Sequence, residues 1–173
     1  MCAAGGDGGI WVNGGKNNVI ENNMIVDCKR LMTTYSPHFY APQIAGFLTG
    51  NRVCRNIYYH SQSGGAWFAL NDWTDRAIGE SDWNLFSDAD GKPIAVDGRA
   101  ILFTEWQEMG YDEHSVIADP MFLDPEHDDY RLTAESPAFR LGFVPVDVTR
   151  IGIRRQERTD QARPRSDDDS PQS

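Results

Sequence analysis

The sequence predicts an all-β solenoid, a chain wound into short stacked coils, on three observations. A similar rhythm recurs at Ile20-Glu21-Asn22-Asn23-Met24-Ile25, at Val53-Cys54-Arg55-Asn56-Ile57-Tyr58 33 positions later, and at Ser81-Asp82-Trp83-Asn84-Leu85-Phe86 28 positions after that. Short β-prone runs recur between clusters of Gly, Asn, Asp and Ser. Long helical periodicity is missing. Repeats of this length, each holding a few strands, bury one another's apolar faces by stacking.

Taken in order, the expected strands lie at Gly9-Ile10-Trp11-Val12, Asn18-Val19-Ile20, Met24-Ile25-Val26, Arg52-Val53-Cys54, Asn56-Ile57-Tyr58-Tyr59, Ala66-Trp67-Phe68-Ala69-Leu70, Trp83-Asn84-Leu85-Phe86 and Ala100-Ile101-Leu102-Phe103. Asn13-Gly14-Gly15-Lys16-Asn17-Asn18 and Ser61-Gln62-Ser63-Gly64-Gly65 supply the turns between them, through positive backbone angles and side-chain-to-backbone bonds. One short helix is expected within 100–109, stopped by Gly110. Stacking equivalent positions places Asn23, Asn56 and Asn84 in an inward ladder, because a buried amide needs a partner in the next turn. Ile20 and Val53 form one apolar column, which Ser81 breaks, and Ile25, Tyr58 and Phe86 form another.

With 173 residues, 40% apolar and 11% aromatic, the chain can bury a core. Sixteen basic residues against 26 acidic ones give a net charge of −10, which repels the phosphate backbone of nucleic acid. The apolar runs are too short to span a membrane, and Met1-Cys2-Ala3-Ala4-Gly5-Gly6 lacks the basic and apolar regions of a signal peptide. Cys2, Cys28 and Cys54 form no close pair or zinc-type cluster, and the last two sit in apolar, strand-like stretches as small hydrophobes.

The stretches "GGIWVNGGKNNVIENNMIVDC", "NRVCRNIYY" and "SDWNLF" resemble coils of right-handed parallel β-helix repeat proteins of the pectate-lyase-like superfamily. "ADPMFLDPEHDDYRLTAESPAFRLGFVPVD" is similar to the closing segment of many secreted members. The resemblance implies a right-handed parallel β-helix of about three coils with an irregular carboxy-terminal cap. It also implies a secreted, extracellular or periplasmic, carbohydrate-active protein of glycoside hydrolase or polysaccharide lyase type. A non-catalytic carbohydrate-binding or surface-adhesion module, or an inactive fragment, is the alternative. On this reading residues 1–110 are coils with a truncated start, 111–153 a capping segment, and 154–173 a disordered charged tail unable to bury a core.

Residues 60–86 hold acidic residues interleaved with Trp67, Trp73 and Trp83. Indole faces stack on sugar rings while carboxylates bond the hydroxyls, so this mixture suits a polysaccharide or oligosaccharide. Hydrolysis needs two carboxyl groups. Asp72 and Glu80 are candidates, together with Asp7, which its flanking glycines leave accessible. His60, Trp73, Arg76 and Asp82 are the candidate substrate-binding residues, with Trp73 the expected platform and Trp67 and Trp83 expected to pack. A lyase would instead use a base drawn from Arg76, Lys92, Arg99 or His60, often with calcium. No cofactor is required, and calcium has two candidate places, Asp88-Ala89-Asp90-Gly91 and Asp124-Pro125-Glu126-His127-Asp128-Asp129. Neither has the spacing of a full calcium loop, and His38, His114 and His127 show no transition-metal spacing. Asp119-Pro120, Asp124-Pro125, Ser136-Pro137 and Val144-Pro145 read as turns of the closing segment.

Overall fold

A computed structural model describes residues 8–35, 48–61, 65–87 and 94–145. Asp7, His38, Lys92, the 88–91 acidic turn and the 154–173 tail lie outside the described residues. The first strands are β1 (Ile10–Asn13), β2 (Val19–Glu21), β3 (Met24–Val26), β4 (Arg30–Tyr35), β5 (Asn51–Cys54), β6 (Ile57–Tyr59) and β7 (Ala66–Leu70). After them come β8 (Ile78–Asp82), β9 (Leu85–Ser87), β10 (Ile94–Val96) and β11 (Arg99–Ile101), then the helix α1 (Phe103–Glu108). The chain continues through β12 (Val116–Ile117), β13 (Phe122–Asp124) and β14 (Asp129–Leu132), with single 3-10 turns at Pro125–His127 and Pro137–Phe139.

The strands form four sheets, ordered β1-β4-β7-β10-β11, β12-β9-β6-β3, β2-β5-β8 and β13-β14. This corrects the expected all-β right-handed parallel β-helix with an irregular cap. The four sheets are separate and small, parallel and antiparallel pairs are mixed, and a helix interrupts the strands. The reasons are local. Asp97 and Gly98, at φ of 48° and 78°, make a two-residue turn that folds β11 back antiparallel on β10. Pro125–His127 and the left-handed Asp128 reverse the chain between β13 and β14 in the same way. After Ile101 the Glu105 carboxylate accepts the Leu102 N–H at 2.8 Å and starts α1, which Gly110 ends at φ 89°.

Equivalent residues nevertheless stack wherever strands pair in parallel. Ile20 lies opposite Val53 and Val53 opposite Ser81, while Ile25, Tyr58 and Phe86 align across β3, β6 and β9. The Tyr58 and Phe86 rings stack at 5.2 Å, and Phe68, Trp67 and Trp106 close round them in the main core. The asparagine ladder forms as expected. The Asn23 amide donates to Asn56 Oδ1 at 3.0 Å, Asn56 to Asn84 Oδ1 at 3.1 Å, and each acceptor oxygen also takes the backbone N–H of the asparagine before it. A second, unforeseen stack runs from Asn18 to Asn51 Oδ1 at 2.8 Å and from Asn51 to the Ala77 carbonyl.

Outside the four-stranded sheet, Met24, Ile57, Leu85 and Val116 fall in one column by register. The closing segment buries this column under Ala138, Leu141 and Phe143, and Asn22 clasps its end through Val144 N–H and C=O at 2.7 and 2.8 Å. Leu141→Ala should therefore cost about 2 kcal/mol, as for a large-to-small change at a buried contact. A urea titration showing no shift in midpoint would contradict this packing.

Candidate functional site

β8 carries the chemistry because strand alternation sends Ser81 inward and Glu80 and Asp82 outward. Arg52 lies opposite Glu80 in the neighbouring strand, and its Nε donates to Glu80 at 2.7 Å while Nη1 reaches Glu21 at 2.8 Å. Arg55 also bonds Glu21. The hydrogen bond from Arg52 holds the Glu80 carboxyl below the usual carboxylate range. Behind this row the buried Cys54 thiol is pushed up to about 11, chiefly by burial, which keeps it protonated and unreactive.

Asp82 spends its oxygens on three donors. Oδ1 accepts the backbone N–H groups of Trp83 and His114, each at 2.8 Å, and Oδ2 lies 2.7 Å from His114 Nδ1. The His114 ring lies flat on the Trp83 indole, 4.5 Å between centroids and 6° from parallel. The imidazole side chain is 56% exposed, and the hydrogen bond it donates to Asp82 raises its pKa above the ordinary histidine value. Trp83 holds φ at 60°, where the equivalent turn positions are Asn22 and Arg55. A non-glycine residue there costs about 1 kcal/mol, and asparagine is the most tolerant choice. The tryptophan is thus placed for its ring rather than for its backbone.

The other expected site residues are spread over the molecule. Asp72 is half-buried in the left-handed turn after β7. Trp73, half-buried, packs on Trp106 at 5.7 Å and Tyr111 at 5.8 Å. Arg76 is exposed, its carbonyl accepting Gly50 N–H. His60 is buried at the end of β6, where its ring crowds Gly65. Glu80 and Asp82 share one face of β8, with different partners. Among the described residues no group of three His, Cys, Asp or Glu side chains is placed to hold a metal ion. In the second acidic cluster, His127 Nδ1 sits 2.9 Å from Asp124.

Sequence reasoning assigned no role to two residues that the structure brings to β8. His114 has no motif, because its partner lies 32 positions away. Asp112 is fully buried and ends the asparagine ladder: Oδ1 accepts from Asn84 at 2.8 Å and Ser115 at 2.6 Å, Oδ2 from Ser81 and Trp106 at 2.7 Å each. The signal that could have revealed it is Ser81, the polar break in an apolar column. Among the described residues no helix is long and apolar enough to cross a membrane. No protein-family description, curated protein or solved structure matches the chain.

Proposed function

We propose that this chain is a secreted, carbohydrate-directed protein, working outside the cell or in the periplasm on a polysaccharide or oligosaccharide. The observation that supports it is the exposed His114 imidazole laid parallel on the half-buried Trp83 indole beside polar side chains, with His114 Nε2 meeting no hydrogen-bond partner among the described residues. Sugar rings stack on such faces and bond polar groups at the rim. Binding is favoured over bond cleavage. A glycosidase acid must hold a proton, whereas Arg52 keeps Glu80 ionised, and Asp82 is consumed in fixing His114. An acid–base role for His114, in hydrolysis or elimination, is the second reading, supported by its fixed contact with Asp82.

Titrating purified protein with a panel of plant and microbial polysaccharides by calorimetry, while following reducing ends and unsaturated uronate absorbance with and without calcium, tests both readings. Saturable binding that Trp83→Ala weakens by about tenfold or more, the scale of a lost stacking contact, is the expected result. Release of reducing ends or unsaturated products abolished by His114→Gln would move the reading to an enzyme. Folded protein that binds none of the panel would remove the carbohydrate role.

A further inference from the structure

The cluster on β8 also does something the sugar-face reading does not require. The turn 111–115 has its buried side in the core and its exposed side on Asp82. Inside, Asp112 ends the ladder, its N–H donates to the Ser81 carbonyl at 2.6 Å, and Ser115 bonds it in turn. Outside, the same turn is attached through the His114 backbone and ring to one carboxylate, with the ring laid on Trp83. We infer that Asp82, His114 and Trp83 form a pH-sensitive latch, which holds the turn 111–115 closed over the end of the amide ladder and loosens as the imidazole loses its proton.

The charged groups concerned are few. Asp82 on β8 faces the ring directly, Glu113 is its neighbour on the turn, and both favour the imidazolium. Glu80 on the same strand is taken up by Arg52. Asp112, two residues away, is buried beneath the turn, and burial lifts its carboxyl above the usual carboxylate range; the His114→Gln comparison below separates its titration from that of the imidazole. Because the folded value for His114 is raised, its contribution is complete below the ordinary histidine pKa and fades as pH rises through the folded value. Neutral His114 still donates from Nδ1, so the latch weakens rather than vanishes.

The test follows amide hydrogen exchange between about pH 5.5 and 8.5, corrected for intrinsic rates, at His114, Ser115 and Val116, with Ile57 and Leu85 as references. Protection at the three turn amides should fall about threefold across that interval relative to the references, the scale of an exposed charge pair. His114→Gln keeps a donor without a titrating group and should flatten the profile. Asp82→Asn should lower the His114 titration midpoint read from its ring proton resonances. A flat wild-type profile, or the same fall in His114→Gln, would overturn the latch. The result is independent of what the face binds.

Discussion

Asp112→Ala lowers stability by about 3–5 kcal/mol, because it strands four buried donors, each costing about 1–3 kcal/mol before relaxation. Ser81 and Ser115 can rotate their hydroxyls elsewhere, but Asn84 Nδ2 and Trp106 Nε1 can only donate. Asn84 bonds Oδ1 and Trp106 bonds Oδ2, so an asparagine at this position faces one of them with its own NH2 in either orientation. Asp112→Asn is therefore also destabilising, by about 1–3 kcal/mol. Chemical denaturation with an unchanged slope and a lowered midpoint would register both losses. A loss under about 1 kcal/mol for the alanine variant would contradict the four-donor account.

This carboxyl also carries a pH signature. Burial, the largest influence, lifts it above its usual range despite the four donors. The folded chain then keeps this proton to a higher pH than the unfolded chain. The stabilising contribution is complete below the ordinary carboxylate range and is lost as pH rises through the folded value. Asp112→Asn should remove that part of the stability profile, which thermal melts over a pH series starting below the ordinary carboxylate range would read directly.

Asn56→Asp is the second large effect, about 3–5 kcal/mol at neutral pH, since it leaves a charge buried without a partner. Asn56 Nδ2 donates to the Ile20 carbonyl at 2.9 Å and to Asn84 Oδ1, and an ionised oxygen would instead oppose both acceptors. Only the Asn23 donors to Oδ1 remain satisfied. The side chain is 1% exposed, so water cannot relieve the conflict. The introduced carboxyl should titrate above its ordinary range, and stability should recover as pH falls through that raised value, once a proton restores one donor. Melts at about pH 4.5 and 7.5, each referred to wild type, should show the variant's deficit shrinking in acid. An equal deficit at both values would mean that the ladder tolerates the charge.

Several parts of this architecture were legible locally. The runs Met24-Ile25-Val26 and Ala66-Trp67-Phe68-Ala69-Leu70 coincide with β3 and β7, and the 33- and 28-residue offsets coincide with the parallel registers. Alternation and β-branched or aromatic content are properties of a few neighbouring residues, so they survive without knowledge of the partner. β8, with its Ile78-Gly79-Glu80-Ser81-Asp82 sequence, was invisible for the same reason. It is a strand only because β5 offers it an edge, and its polar residues are satisfied by Arg52, His114 and Asp112 from elsewhere. The site residues behaved likewise. Asp82 stood out as a carboxylate near tryptophans, yet its partner His114 is set by the return of the chain after α1.

By itself, the sequence determined the repeating asparagines, their apolar neighbours and the turns between them, because a buried amide or a left-handed backbone position restricts the residue at one place. Only the tertiary structure decided that the strands divide into four sheets with antiparallel pairs, that Glu80 is spent on Arg52, and that Asp112 and His114 meet β8 from its two sides. Those outcomes depend on hydrogen bonds between groups about 30 positions apart, and such pairings form only when chain reversals bring their backbones together.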